Sequence, residues 1–255
     1  MNFIGIIPAR YQSTRFPGKP LVLLQGKPII QWVYENAAKV LDTVYVATDD
    51  ERIFQAVEAF GGKAVYTSAS HQSGTDRCAE AAQLLARQMQ VDVVINIQGD
   101  EPFIRSEQIE SLKACFNYPH TEIATLIKPV TQIEEIFNIN RPKVVINHNK
   151  EAMYFSRSPI PFVRGLAQEE WLTHSHFYSH IGMYAYQYDV LLDLTKLPVG
   201  LLEKAESLEQ LRWLENGYTI RTAQTLFESI GIDTPEDLEQ ARRLLTGNQG
   251  KDIVK

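Results

Sequence analysis

Short apolar runs separated by amphipathic stretches set the rhythm of the first 120 residues. Phe3 to Ile7, Val44 to Ala47, Ala64 to Tyr66 and Val91 to Ile97 are largely apolar and short, as strands buried on both faces of a parallel sheet are. The segments between them repeat at helical spacing. Ile30, Val33, Ala37 and Val40 share one face, as do Ile53, Val57 and Phe60, and then Cys78, Ala82, Leu85 and Met89. This alternation predicts an α/β fold with a doubly wound, mainly parallel sheet flanked by helices.

Beyond about residue 120 the rhythm changes. Ile123 to Val130 and Val144 to Asn147 have strand character, and a tract rich in Pro, Tyr and His follows between Tyr154 and Tyr188. Antiparallel strands are expected there, making the sheet mixed. One helix is expected over Leu208, Leu211 and Leu214, and a last one over Leu238, Ala241 and Leu244. The last helix has a well-marked start: Thr234 as N-cap, Pro235 at the first helical position and Asp237 at the third, a capping-box arrangement.

Composition narrows the class. The chain has 255 residues, 44% hydrophobic and 22% charged, enough for a full core and typical of a globular protein. A formal charge of -6 argues against a nucleic-acid binder, which carries a basic surplus; an anionic ligand therefore has to meet a local basic cluster. Cys78 and Cys115 lie in apolar patterns and are expected as reduced thiols. The opening MNFIGIIPAR lacks the lead-in and apolar length of a signal peptide, and no run reaches the ~20 residues of a membrane span. The expectation is a cytoplasmic protein with no nucleic-acid or membrane partner.

The basic cluster stands right after the first strand. Pro8-Ala9-Arg10-Tyr11-Gln12-Ser13-Thr14-Arg15-Phe16-Pro17-Gly18-Lys19-Pro20 places cations and hydroxyls at a strand's carboxyl end, the edge where open α/β sheets bind ligands. Arg10, Ser13 and Lys19 are candidates for wrapping phosphates; the alternative is a solvated basic loop. The Walker pattern and GxGxxG are both absent. The fourth strand ends in Gln98-Gly99-Asp100-Glu101-Pro102, which delivers a carboxylate to the same edge. Asp100 suits Mg²⁺, a hard cation bound by one or two carboxylates plus phosphates, and suits equally a turn that caps the following helix. Asp233 precedes the last helix, where an acid is favourable through the dipole alone; because Thr234 supplies the cap, Asp233 is left available for another role, and metal binding stands beside the dipole reading as a candidate. His174, His176 and His180 would share one face of a strand and imitate a zinc site, but the spacing is not that of zinc ligands.

Taken together, PARYQSTRFPGKPL, HQSGTDR, VINIQGDEP, YFSRSPIP, HIGMYAY, LEKAESLEQLRWLENG and IDTPEDLE resemble the 3-deoxy-manno-octulosonate (Kdo) cytidylyltransferases. The match runs in order from about Phe3 to Leu245, and HQSGTDR, YFSR and LEQLR in this order mark the Kdo enzymes rather than other sugar nucleotidyltransferases. Gly165 to Ser175 and the tail after Leu245 match no block. The resemblance implies a nucleotide-diphospho-sugar transferase-like fold in a single domain over residues 1–245. Residues 1–120 would bind nucleotide, 121–230 would bind sugar and dimerise through a small antiparallel portion, 231–245 would form the closing helix, and 246–255 a flexible tail. It implies transfer of CMP from CTP to the anomeric hydroxyl of Kdo for lipopolysaccharide assembly, Mg²⁺ dependence and a homodimer.

Roles follow residue by residue. Arg10 and Lys19 match the triphosphate positions, and Asp100 and Asp233 the metal-binding carboxylates; these four carry catalysis. Pro8, Ala9, Ser73, Gly74 and Thr75 match the cytidine contacts. Arg77, Gln98, Arg157, His180, Tyr184, Glu209 and Gln210 match the sugar-acid side, with Gln98 shared with the nucleotide. Arg77 and Arg157 suit a carboxylate through the planar guanidinium, against structural ion pairs as the alternative. The rival readings are a cytidylyltransferase for sialic acid or an amino-substituted Kdo, and a catalytically silent nucleotide-binding regulator.

Overall fold

A computed structural model of the chain describes residues 1–12, 16–228 and 230–246. Ser13 and the tail from residue 247 onward lie outside the described residues. The chain divides into two compact units, Met1–Ile109 with Ser229–Lys255, and Glu110–Glu228.

The first unit follows the expected alternation: β1 (Phe3–Ala9), β2 (Leu23–Leu24), β3 (Lys27–Pro28), α1 (Ile29–Ala37), β4 (Val44–Thr48), α2 (Glu51–Ala59), β5 (Ala64–Tyr66), α3 (Gly74–Ala86) and β6 (Val93–Asn96). Its main strands run in the order β6, β1, β4, β5 and are parallel throughout. Ile6 pairs with Tyr45 on one side and Asn96 on the other. Ile6, Ile7, Val46 and Val94 are fully buried, which is why these strands read as continuous apolar runs. Parallel pairing brings the carboxyl ends of β1, β4, β5 and β6 to one edge.

Local chemistry sets the helix starts. Asp50 caps α2 by accepting from the Arg52 N–H at 3.0 Å, and Ser73 caps α3 by accepting from the Asp76 N–H at 3.0 Å. Val40, Phe60 and Met89, expected on helix faces, fall just past the ends of α1, α2 and α3. After Phe60 the chain turns at Gly61, which has φ 79°, the left-handed conformation that ends helices. The hairpin of β2 and β3 was not expected; Gln25 and Gly26 make its turn with φ of 51° and 81°.

After α4 (Ser106–Cys115) come β7 (Ile123–Pro129), α5 (Ile133–Phe137), β8 (Lys143–Ile146), β9 (Ala152–Ser156), α6 (Trp171–His174), β10 (Tyr178–Gln187), α7 (Tyr188–Leu194), α8 (Leu201–Glu206), α9 (Gln210–Glu215) and β11 (Ile220–Gln224). In the second unit β10 is antiparallel to β7 and β8, and β8 to β9, the mixed character expected. β11 pairs parallel with β7. A local core forms around Val130, Ile136, Trp171 and Phe177, with the last two rings stacked at 5.9 Å.

Two expectations are corrected. The helix expected over Leu208, Leu211 and Leu214 is shorter than that: α9 starts only at Gln210, so Leu208 precedes it, between α9 and the Ser207 (φ 51°) that ends α8. Nor do three histidines share a strand face. His174 ends α6 and bonds Thr173 and the Glu170 carbonyl, while only His180 lies on β10.

The chain returns to the first unit in α10 (Pro235–Thr246). Leu238 and Ala241 pack on Leu24, Ile29, Phe103 and Ile232. Thr234 Oγ1 accepts from the Asp237 N–H at 3.2 Å, and Asp237 Oδ2 accepts from the Thr234 N–H at 2.9 Å, the reciprocal capping box that the sequence spelled.

Candidate active site

At the carboxyl edge of the first unit's sheet lies a cleft of about 750 Å³. Pro8, Ala9 and Arg10 line it from the end of β1, Gln98, Gly99 and Asp100 from the end of β6, Ser73, Gly74 and Arg77 from the start of α3, and Lys19 and Asp233 from two loops. The strand ends meet closely. A Cβ on Gly99 would stand 2.9 Å from the Pro8 carbonyl oxygen, so a larger residue there would push the two ends apart. The loop after β1 is pinched at its neck, where the Gly18 N–H donates to the Tyr11 carbonyl at 2.9 Å. Gly18 has φ 70° and its Cα faces the Tyr11 ring, a conformation and an approach that suit glycine.

Lys19 follows that glycine and its ammonium bridges the two carboxylates, 2.6 Å from Asp100 Oδ2 and 2.9 Å from Asp233 Oδ1. Burial opposes its charge, but Asp100 and Asp233 outweigh burial and hold its pKa above the usual lysine value. The carboxylates come from separate elements tied by main chain: the Ile232 N–H donates to the Asp100 carbonyl at 2.9 Å, and the Asp233 N–H to Asp237 Oδ2 at 3.0 Å. This pair fits a hard divalent cation. Two carboxylate oxygens from separate elements converge on one cationic nitrogen, a donor set of the kind a hard cation takes.

The start of α3 brings Ser73 and Gly74 to the cleft; Thr75, one residue further, is buried. Arg77 reaches the cleft but is itself 4% exposed. It pairs with Asp49 Oδ1 at 3.1 Å and donates to Thr67 Oγ1 at 2.7 Å, so it ties α3 to the ends of β4 and β5. Tyr11, Gln12, His71 and Gln72 also line the cleft and had been given no role. Their position inside PARYQSTRFPGKPL and HQSGTDR was the available signal.

The remaining candidates belong to the second unit. Arg157 donates from Nε to the Glu206 carbonyl at 2.6 Å, from Nη1 to Ile139 at 3.0 Å and from Nη2 to Ser207 at 3.2 Å. His180 Nε2 lies 3.0 Å from Thr125 Oγ1, with its ring edge-on to Phe155 and 5.3 Å from Tyr184. Burial pushes the His180 pKa down to about 3 and the Tyr184 phenol well above its ordinary value. Tyr184 meets Trp213 of α9 edge to face at 5.0 Å. Glu209 occupies the N-cap position of α9 without a capping side-chain bond, and its carboxylate lies 3.8 Å from Arg212 Nη2. Gln210 is buried, and its Nε2, like Trp213 Nε1, finds no hydrogen-bond partner among the described residues.

Cations, paired carboxylates and a helix start at the carboxyl edge of a parallel sheet define an α/β protein built to hold a polyanionic nucleotide. Comparison with known proteins specifies which. Residues 4–230 match the family described as cytidylyltransferase. The 3-deoxy-manno-octulosonate cytidylyltransferase of Phocaeicola vulgatus is 58% identical over 254 residues, covering 98% of this chain and all of the relative. That of Bacteroides thetaiotaomicron is 58% identical over 96% of this chain and 98% of its own length. Among solved structures, CMP:2-keto-3-deoxy-manno-octonic acid synthetase complexed with CTP superposes with a TM-score of 0.87 at 43% identity, covering 96% of this chain and 98% of that one. The chain belongs to the cytidylyltransferase family.

Proposed function

We propose that the chain transfers the CMP part of CTP to the anomeric hydroxyl of 3-deoxy-manno-octulosonate, releasing pyrophosphate. The observation that carries the reading is the convergence of Lys19, Asp100 and Asp233 in the cleft that also holds Arg10 and the start of α3. The 58% identity to enzymes of that name supports the choice of substrates.

The chemistry is an in-line attack of the sugar hydroxyl on the α-phosphorus of CTP. The new O–P bond forms as the bond to pyrophosphate breaks, and the hydroxyl proton leaves to solvent. Positioning and charge neutralisation do most of the work in such a reaction. Arg10 and Lys19 hold the triphosphate. Pro8, Ala9, Ser73 and Gly74 offer main-chain groups to the cytosine edge, with Thr75 behind them and Gln98 beside them. Asp100 and Asp233 are the ligands for Mg²⁺, whose chemistry when bound is to neutralise phosphate charge and lower the pKa of a coordinated hydroxyl. On the acceptor side the candidates are Arg77, Gln98, Arg157, His180, Tyr184, Glu209 and Gln210. Arg157 suits the sugar carboxylate, provided that it exchanges carbonyl partners for the ligand. Arg77 suits a supporting role, since Asp49 already takes its charge. A homodimer at work in the cytoplasm, supplying lipopolysaccharide assembly, completes the reading; among the described residues no helix is long and apolar enough to cross a membrane.

The test is a pyrophosphate-release assay that crosses four nucleotide triphosphates with Kdo, an amino-substituted Kdo and sialic acid. CTP with Kdo is expected to give the highest kcat/KM. No turnover of that pair, or equal use of UTP, would overturn the assignment.

A further inference from the structure

Lys19 and a divalent ion need the same place. The Lys19 ammonium lies 2.6 Å from an oxygen of Asp100 and 2.9 Å from an oxygen of Asp233, whereas Mg²⁺ binds oxygen at about 2.0–2.1 Å. An ion drawing on both carboxylates therefore comes within contact of the ammonium, in a cleft where Lys19 is 13% exposed, Asp100 27% and Asp233 42%, so solvent screens the repulsion only in part. One of the two cations has to leave.

The main chain decides which member can move. The backbones of Asp100 and Asp233 are held, by the Ile232 N–H on the Asp100 carbonyl and by Asp237 on the Asp233 N–H, and each carboxylate is a short arm on that frame. The Lys19 backbone is likewise fixed: it opens a 3-10 turn, its carbonyl accepts from the Val22 N–H at 3.1 Å, and the next residue, Pro20, is buried. The four-carbon arm of Lys19, with three rotatable N–H donors at its tip, is the part that can swing. Its other possible partner is the polyanion proposed for the same cleft.

We propose that Lys19 is the internal counter-ion of the carboxylate pair, which keeps divalent cations out until a triphosphate draws the ammonium away. Metal and nucleotide then enter together, each raising the affinity for the other. The inference rests on the reading of Asp100 and Asp233 as the metal ligands.

The probe is Mn²⁺ alone, titrated without nucleotide and followed by its electron paramagnetic resonance signal. Four proteins are compared: the unaltered chain, Lys19→Met, Asp100→Asn and Lys19→Met/Asp100→Asn. Lys19→Met is expected to bind Mn²⁺ at least tenfold more tightly than the unaltered chain, and the double variant to lose that gain. Equal or weaker binding by Lys19→Met, with Asp100→Asn still weakening the unaltered chain, overturns the counter-ion role and leaves the ligand assignment standing. A gain that survives in the double variant shows that the ion sits elsewhere and overturns both. Should unpaired carboxylates prevent Lys19→Met from folding, Lys19→Gln keeps donors without charge. Its thermal midpoint should then rise more with added Mn²⁺ than that of the unaltered chain; an equal rise overturns the proposal.

Discussion

Lys19 of the first unit and Lys143 and Arg157 of the second are satisfied in opposite ways. In the first, Lys19 pairs with side chains, Asp100 and Asp233, at the open edge of a sheet. In the second, two cations pair with main chain instead: Lys143 donates to the carbonyls of Asn138 and Arg157 at 2.8 and 2.7 Å, and Arg157 to three carbonyls, whereas Arg212 and Arg221 meet the carboxylates of Glu203 and Glu151. The distinction has a chemical consequence. A side-chain carboxylate that loses its ammonium can take a metal ion in its place, whereas a carbonyl that loses its donor is left unsatisfied unless water or ligand replaces it. Lys19 is thus placed for exchange of partners, and Lys143 and Arg157 for holding the loops whose carbonyls they bind.

The strongest test of that contrast removes charge from the exchange site. Asp100→Asn and Asp233→Asn keep size and most hydrogen bonding but lose one negative charge each. If the pair holds Mg²⁺, kcat at saturating substrates is expected to fall by ~10²-fold or more, by analogy with the loss of one charge-stabilising group, while the thermal midpoint stays near that of the parent. Near-normal kcat in a stably folded variant would reduce that residue to a turn or cap.

Arg157 tests the other side. Loss of a charged hydrogen-bonding contact costs about 1.5–3 kcal/mol, so Arg157→Ala is expected to raise the KM for the sugar acid roughly tenfold or more and to leave the KM for CTP alone. A lowered thermal midpoint with unchanged KM would assign Arg157 wholly to the carbonyls of Ile139, Glu206 and Ser207.

His180 sharpens the comparison through pH. Burial lowers its folded pKa to about 3, from an ordinary 6.5, so folding favours the neutral ring. That contribution is complete above pH 6.5 and is lost as pH falls toward 3, at up to about 1.4 kcal/mol per pH unit. The midpoint of the parent should therefore fall more steeply between pH 6.5 and 4.5 than that of His180→Gln. Parallel curves would mean that the ring is not held neutral.

Much of the first unit was legible because its signals are local. The apolar runs Phe3 to Ile7 and Val91 to Ile97 marked the strands that extend over Phe3–Ala9 and Val93–Asn96, and a carboxylate just past a strand end, Asp100, marked the cleft. The second unit was harder for physical reasons. β11 pairs with β7 almost a hundred residues earlier in the chain, and IRTAQ is too short and polar to announce a strand. The end of α8 at Ser207 depends on a left-handed residue that is not glycine, which the sequence does not announce. The carbonyl partners of Arg157 come from main chain on two other segments, which residue types cannot foretell. Arg77 shows the same limit within the first unit: its Asp49 partner is visible only once β4 and α3 are in place.

The smallest expected effect concerns how Asp233 is held. Its N–H and that of Thr234 both donate to Asp237 Oδ2, while Thr234 Oγ1 accepts only the return bond from the Asp237 N–H. Thr234→Ala removes the return bond and leaves the other two. The cap loss should cost about 1 kcal/mol, a drop of roughly 2–4 °C in Tm for a chain of this size, with kcat within twofold of the parent. Asp237→Ala removes both bonds that fix the Asp233 main chain, so at similar loss of stability it should lower kcat more. Equal kcat in the two variants would mean that the cap serves only the helix, and that Asp233 is placed by other contacts, the one with Lys19 and the Ile232–Asp100 link among them.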